Sequence, residues 1–258
     1  SMALPPYADT FARAGLAVLV YDHRNLGESD GPTPGEINPW EQSRDSQAAL
    51  TWLGDQPEVD GGRLGLWGSS FSGGEALVVA AVDDRVRAVV ANVPWAGLPG
   101  VEGGDDEERF RVLRAEFDPA TAKLSGPGGT VLGPLAVVPD GESELPPFLD
   151  HNESIDWYLR EGAASGTWRN EVTLRNAFGS EPSFDPGLGA AQLGDTPLLM
   201  VITTDDQVAP TEIARAAYAR VTGPKRMVEI DGHHFVPYAG PALRVAAEAA
   251  RDHFLEHL

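Results

Sequence analysis

The stretch from Arg63 to Gly74, RLGLWGSSFSGG, constrains the fold of this chain more than any other. Its apolar first half predicts a short buried strand, and the helix-forming residues after it predict a helix, so the small residues between them predict a strand–turn–helix. Ser70 lies at the centre of that turn. The expected geometry is a nucleophile elbow, in which a sharp turn holds the central serine in a strained backbone conformation.

Two small residues make such a turn possible. Gly68 and Ser72 lie two positions on either side of Ser70 and must be small so that strand and helix can pass each other. The pattern is G-x-S-x-S, with serine where glycine usually ends the motif, and Gly73 and Gly74 keep the packing close. A chance match in a chain with 29 glycines is the alternative, which the flanking strand and helix disfavour.

Composition limits the class of protein and its partners. The chain has 258 residues, of which 42% are hydrophobic, enough for one large domain or one domain with an insertion. No apolar run approaches the roughly 18 residues of a membrane span. Nineteen basic residues against 39 acidic ones give a net charge of −20, which disfavours nucleic acid and anionic membranes as partners. The absence of cysteine excludes disulfides and thiolate metal sites, and it fits a cytoplasmic location.

Strand and helix patterns alternate along the chain, which predicts an α/β fold with a doubly wound, mainly parallel sheet. The apolar run Leu16–Tyr21 predicts a strand covered on both faces, followed by a polar loop over residues 22–31 at the ligand crevice. Further strands are predicted at 64–67, 87–92, 197–204 and 225–230, and helices at 5–14, 39–54, 211–221 and 241–257.

The pattern changes between residues 97 and 189. Helices are predicted there over 106–123 and 152–161, with an extended segment at 130–138. The domain organisation expected is a core of residues 1–96 and 190–258, and a cap or lid insertion of residues 97–189 over the strand ends. Such a cap would shape the substrate pocket.

Candidate catalytic residues occur in the order serine, aspartate, histidine. A serine nucleophile needs a base to take its proton, and the base needs an acid to hold its tautomer. Ser70, Asp206 and His234 follow predicted strands in the order that doubly wound hydrolases use. Asp205 and His233 are the competing neighbours. Asp206 is favoured by its place at the head of a turn, and His234 by its place before Phe235.

Several blocks resemble the α/β-hydrolase superfamily in family order, and they cover nearly the whole chain. They are YDHRNLGESDG, PEVDGGRLGLWGSSFSGG, RVRAVVANVPW, TPLLMVITTDDQVAP and PKRMVEIDGHHF. More narrowly, they resemble the dienelactone-hydrolase-like branch that includes fungal polyketide transferases. The resemblance implies Ser70 as nucleophile, Asp206 as acid and His234 as base, with no metal and no organic cofactor.

One departure from the family concerns the oxyanion hole. Family members begin with further strands, and a His-Gly phrase after the third of them lies near one backbone N–H donor. No such phrase occurs here, which leaves the N–H of Phe71 as the identifiable donor. Losing one donor costs about 3 kcal/mol of transition-state stabilisation. In the family sheet, the third strand lies between the predicted strand at 16–21 and the strand that precedes Ser70. Without it, three explanations are open: these two strands pair directly, another chain fills the gap between them, or the working protein starts earlier.

The leading functional hypothesis is a serine hydrolase or acyltransferase acting on a small-molecule ester or thioester, either free or bound to a carrier protein. The resemblance to the polyketide-transferase branch implies a secondary-metabolite acyl group as the substrate. His23, Arg24, Trp95 and Trp157 are expected to contact it. One alternative is a lyase or cyclase that uses His234 as a general base. Another is a binding module without activity, which forms a homodimer through an exposed sheet edge.

Overall fold

The computed structural model describes residues 2–98, 105–124 and 126–258. The predicted insertion at 97–189 therefore includes residues 99–104 and 125, which lie outside the described residues. The strands are β1 (Glu36–Ile37), β2 (Leu64–Ser69), β3 (Val86–Asn92), β4 (Val131–Leu135), β5 (Val172–Arg175), β6 (Leu198–Thr203) and β7 (Lys225–Ile230). The helices are α1 (Pro5–Arg13), α2 (Pro39–Gly54), α3 (Phe71–Val82), α4 (Asp106–Ala115), α5 (Asn152–Ser165), α6 (Pro186–Ala191), α7 (Thr211–Arg220) and α8 (Gly240–His257).

A parallel sheet with the strand order β2-β3-β6-β7 forms the centre of the fold. Helices cover both of its faces, so the residues of β3 alternate between two cores. Val89 and Ala91 pack on the side of α3 and α7, whereas Ala88 and Val90 pack on the side of α1 and α8. This arrangement confirms the predicted α/β fold with a mainly parallel sheet.

A second, smaller sheet has the strand order β1-β5-β4. Strand β5 is parallel to β1 and antiparallel to β4, so the segment between β3 and β6 is joined to the start of the chain. Leu135, Val172 and Leu174 form the buried centre of this sheet, and Phe71 packs against it. The small sheet therefore lies beside the turn that carries Ser70.

The predicted strand at Leu16–Tyr21 is wrong. This segment pairs with no strand among the described residues, and Val18 and Val20 are 38% and 41% exposed. A cavity of about 480 Å³ lies between it and β2, which is an edge strand of the main sheet. An apolar run becomes a strand only where a neighbour offers its N–H and C=O groups, and here a cavity separates the run from β2.

The helix predicted over 106–123 is also wrong in length, because α4 ends at Ala115. The carboxylate of Glu116 is buried and accepts hydrogen bonds from the N–H groups of Lys123 and Leu124, at 2.7 and 2.8 Å. These bonds fold the chain back on itself, and Pro119 disfavours helical geometry at the residue before it. Among the residues that the structure describes, none of the helices has both the length and the apolar character that a membrane span requires.

Candidate active site

Ser70 lies in the sharp turn between β2 and α3. Its backbone has φ 56° and ψ −122°, an unusual conformation for a residue with a side chain. The turn is held from three directions, since the Ser70 N–H donates to the carbonyl of Asn92 and its own carbonyl accepts from Gly73 and Trp95. This strain at a fixed serine is the geometry expected of a nucleophile elbow.

Close packing around the turn explains why its neighbours are small. A Cβ atom added to Gly68 would lie 2.1 Å from the carbonyl oxygen of Ser72, and one added to Gly74 would lie 2.3 Å from that of Trp95. Both distances are far inside van der Waals contact. The close approach is between the Cα of Gly68 and the backbone of Ser72, so it requires glycine at position 68 and leaves serine possible at position 72.

A chain of hydrogen bonds runs from Ser70 through His234 to Asp206. The Oγ atom of Ser70 lies 2.9 Å from Nε2 of His234, and Nδ1 of His234 lies 2.6 Å from Oδ2 of Asp206. The side chains of His234 and Asp206 are almost completely buried. Each residue comes from a different strand end, after β2, β7 and β6, so the parallel sheet brings together residues more than 130 positions apart.

Local hydrogen bonds orient Asp206 rather than Asp205. The Oδ1 atom of Asp206 accepts from the N–H groups of Val208 and Ala209, which leaves Oδ2 for His234. Asp205 is exposed and accepts a hydrogen bond from Gln207. His233 is likewise exposed, and its Nδ1 accepts from the N–H of Phe235. The structure therefore brings the two favoured residues to Ser70 and turns their neighbours towards solvent.

The N–H of Phe71 belongs to the first residue of α3, so it has no partner within the helix. It lies beside Ser70, where the positive end of the helix dipole favours negative charge. This N–H is therefore available to an oxyanion that forms on a carbonyl bound at Ser70. The described residues contain no cluster of three or more His, Cys, Asp or Glu side chains arranged to hold a metal ion.

A second hydrogen-bond network lies behind Ser70, and sequence analysis missed it. Ser69 Oγ lies 2.6 Å from the hydroxyl of Tyr238 and accepts from the side-chain amide of Asn92 at 2.9 Å. The hydroxyl of Tyr7 donates to the carbonyl of Pro237 at 2.8 Å. No motif in the sequence pointed to this network, because its partners Ser69 and Tyr238 are 169 positions apart. The network fixes the turn that carries His234 against the end of β2.

His23 and Arg24 make contacts away from Ser70 among the described residues. His23 Nε2 lies 3.1 Å from Ser72 Oγ and 3.6 Å from Oε2 of Glu75, below the elbow. Arg24 forms ion pairs with Glu41 and Asp45 of α2. The contacts of Arg24 brace the loop after residue 21 against that helix. Direct contact of either side chain with a substrate stays a prediction.

Burial sets the protonation of the His23–Glu75 pair. Removal from water raises the pKa of Glu75 to about 8 and lowers the pKa of His23 to about 4. The contact between them at 3.6 Å would favour an ion pair, but the Glu75 side chain is buried, the His23 side chain is mostly buried, and both shifts favour the neutral forms. The favoured arrangement is a protonated carboxyl beside an uncharged imidazole.

Aromatic side chains flank the turn on two sides. Trp95 stacks on Phe71, with ring centroids 5.2 Å apart, and both rings are partly exposed. Trp157 stacks on Phe235 at 4.9 Å, next to His234, and both of these are more than 90% buried. The structure thus places Trp95 beside Ser70, whereas Trp157 reaches the site through Phe235.

Comparison with solved structures identifies the class of fold. The α/β hydrolase GrgF from Penicillium sp. sh18 superimposes with a TM-score of 0.72 at 24% sequence identity, covering 98% of this chain and 84% of GrgF. Residues 2–102 also match the model of the X-Pro dipeptidyl-peptidase (S15) family. The fold is therefore the α/β-hydrolase fold.

Curated relatives place the chain within that class. It is 32% identical over 236 residues to the thiohydrolase apmlB of Arthrinium phaeospermum, covering 86% of this chain and 73% of the relative. It is 31% identical over 222 residues to the polyketide transferase claH of Penicillium crustosum, covering 84% and 70%. The chain belongs to the α/β-hydrolase superfamily, in its dienelactone-hydrolase-like and polyketide-transferase-like branch.

Proposed function

We propose that this protein is a serine-dependent acyl-transfer enzyme that acts on an ester or thioester of a small organic acyl group. The observation that carries the proposal is the hydrogen-bond chain from Ser70 Oγ through His234 to Asp206, at 2.9 and 2.6 Å. A histidine with one ring nitrogen within reach of a strained serine, and the other bound to the buried side chain of an aspartate, is arranged to take a proton from that serine.

The first half of the reaction forms an acyl-enzyme. Ser70 Oγ attacks the carbonyl carbon of the substrate while His234 Nε2 takes the hydroxyl proton. The negative charge on the carbonyl oxygen is stabilised by the N–H of Phe71, and Asp206 stabilises the positive charge on His234. The tetrahedral intermediate then expels the alcohol or thiol, which receives the proton from His234, and leaves an ester on Ser70.

The second half returns the enzyme to its starting state. Water or an acceptor alcohol or amine gives a proton to His234 and attacks the acyl carbon, and Ser70 leaves as the restored hydroxyl. The name of one relative indicates hydrolysis and that of the other indicates transfer. We propose that residues 97–189 act as a cap, whose strands β4 and β5 pack on Phe71 and limit access of water to the ester.

The experiment is covalent labelling with a fluorophosphonate probe, followed by intact-mass and peptide mass spectrometry. Stoichiometric labelling of Ser70 that is lost in Ser70→Ala and strongly slowed in His234→Ala supports the proposal. Ser69→Ala removes the neighbouring hydroxyl and serves as a positional control, because its labelling must still occur at Ser70. An absence of labelling in a protein with a cooperative unfolding transition would rule out the acyl-enzyme.

The way the acyl group divides between water and an acceptor alcohol distinguishes hydrolysis from transfer. An N-acetylcysteamine thioester is mixed with the enzyme and increasing glycerol as a model acceptor alcohol, and the free acid and the glycerol ester are quantified. Ester formation above the proportion expected from the concentrations of alcohol and water indicates transfer. Free acid alone indicates a thiohydrolase. The same assay with the acyl group on a carrier protein tests which form of the donor is used.

A further inference from the structure

The two aromatic pairs that flank Ser70 differ in their exposure to solvent. Phe71 and Trp95 are fixed to the elbow by the backbone, since Phe71 follows Ser70 and the N–H of Trp95 donates to the Ser70 carbonyl at 2.9 Å. Both rings are nevertheless only partly buried. On the other side of Ser70, Trp157 and Phe235 are only 7% and 6% exposed, and their rings stack on each other.

Side chains of the segment between β3 and β6 lie next to the partly exposed pair Phe71 and Trp95. Phe178 meets Trp95 edge to face at 5.7 Å, and Val137 packs on the same small-sheet core as Phe71. Ile37 joins them from β1. Each of these side chains is apolar and only partly buried, although the residues behind them in the small sheet are more than 90% buried. Together Ile37, Phe71, Trp95, Val137 and Phe178 make an apolar face beside Ser70, here named the acyl face.

Within the described strands beneath the acyl face, the charged groups are paired with each other. The charged groups of the strands beneath it, Glu36 and Arg175, form an ion pair at 2.9 Å and are mostly buried. Each therefore satisfies the other and neither is free to hold a charged ligand. A bound group at this face would lose water without gaining an ionic partner, which favours an uncharged hydrocarbon chain.

We infer that the acyl face binds the acyl chain of the substrate, and that the chain is uncharged and apolar for several carbons beyond the reacting carbonyl. The inference rests on the proposed acyl transfer at Ser70, which places the carbonyl next to Phe71. Trp95 and Phe178 are the residues that set chain length. Trp157 supports the histidine turn through Phe235 and does not bind the chain.

Binding to the Ser70→Ala protein tests the inference without any reaction. Butanoyl, hexanoyl and octanoyl thioesters of N-acetylcysteamine are titrated by isothermal calorimetry. We expect Kd to fall about fourfold for each added methylene. An adipoyl thioester, which ends in a carboxylate, should bind at least about tenfold more weakly than the hexanoyl compound.

Variants on the same Ser70→Ala background locate the effect. Trp95→Ala and Phe178→Ala should each reduce the dependence to less than about twofold per methylene, and Trp95→Phe should restore most of it. Trp52→Ala removes an exposed tryptophan of α2 and should keep the full dependence. Affinities that do not change with chain length, or a dependence unchanged in both alanine variants, would overturn the inference.

The outcome is separable from that of the proposed function. Chain-length-dependent binding in Ser70→Ala, without fluorophosphonate labelling of the unmutated protein, would retain the acyl face and remove the acyl-enzyme. Labelling of Ser70 together with flat binding would retain the acyl-enzyme and remove the acyl face.

Discussion

The hydroxyl oxygen of Tyr238 lies 2.6 Å from Oγ of Ser69, the residue directly before Ser70. Because Tyr238 follows His234 by four residues, this bond joins the strand that ends at the elbow to the turn that holds the histidine. Burial raises the pKa of Tyr238, so its hydroxyl stays protonated over the working range of pH. We therefore expect the Ser70–His234 distance of 2.9 Å to depend on this contact between their neighbours.

Replacing Tyr238 by phenylalanine should slow fluorophosphonate labelling of Ser70 by about fivefold to tenfold, since one hydrogen bond contributes about 1 kcal/mol. In ester hydrolysis the loss should fall on kcat, with KM little changed, because the acyl face is untouched. Ser69→Ala removes the other partner, and the double variant should be no slower than the slower single variant. Effects that multiply in the double variant would show that the two hydroxyls act independently.

The two adjacent aspartates should differ sharply. Asp206→Asn keeps the shape of the side chain but removes the charge that holds the His234 tautomer, so we expect hydrolysis to fall by about 10³-fold to 10⁴-fold. Asp205→Asn changes an exposed residue that binds Gln207, and its rate should stay within about twofold of the unmutated protein. Steady-state hydrolysis of a p-nitrophenyl ester measures both. A large loss in Asp205→Asn would contradict the assignment of Asp206.

Stability should depend on pH through Glu75 and His23. An unfolded chain releases the Glu75 proton near pH 4.5, whereas the folded protein holds it to about pH 8. The folded state therefore binds more protons between these values, and the free energy of unfolding falls as pH rises, by up to about 1.4 kcal/mol per pH unit. His23 acts in the opposite direction between pH 4 and 6.5, where the unfolded chain binds the extra proton. Of these two groups, only Glu75 is expected to contribute from pH 6.5 to 8.

Urea unfolding at pH 6.5, 7.2 and 8.0 checks this expectation. Glu75→Gln should remove most of the decline in the free energy of unfolding over that range, because glutamine carries no titrating proton. The matched control is Glu58→Gln, which changes an exposed glutamate in a turn and should leave the decline unchanged. The same decline in all three proteins would assign the pH dependence to other groups.

Gly68 should tolerate no side chain. In Gly68→Ala the new Cβ would meet the Ser72 carbonyl oxygen, so strand and helix must separate, and we expect a loss of about 3 kcal/mol or more in the free energy of unfolding. Gly128→Ala places a Cβ where no heavy atom lies within 4 Å, and it should change stability by less than about 0.5 kcal/mol. Thermal and urea unfolding compare them. Equal stabilities would show that the turn can relax around the extra atom.

Much of the fold could be predicted because its signals are local. The apolar run before Ser70, the glycines around it and the helix formers after it lie within about twenty residues and determine the strand–turn–helix. Helices α1, α2 and α8 were predicted to within two residues at each end for the same reason. The acidic excess and the lack of cysteine also follow from composition alone.

Other features depended on neighbours that are distant in sequence. Leu16–Tyr21 has the composition of a buried strand, but it can pair only if another strand lies directly beside it, and here a cavity separates it from β2. The contacts of Tyr238 with Ser69 and of His23 with Glu75 join residues 169 and 52 positions apart. No local pattern encodes such separations, because packing of whole helices and strands sets them.

The amino-acid sequence by itself determined the elbow at Ser70 and the order in which an aspartate and a histidine follow it. Only the tertiary structure decided that His234 and Asp206, rather than His233 and Asp205, point towards Ser70 and each other. The physical reason is that adjacent residues in a turn point in different directions. Which one faces the serine is set by hydrogen bonds that form only when the ends of β2, β6 and β7 lie side by side in the folded sheet.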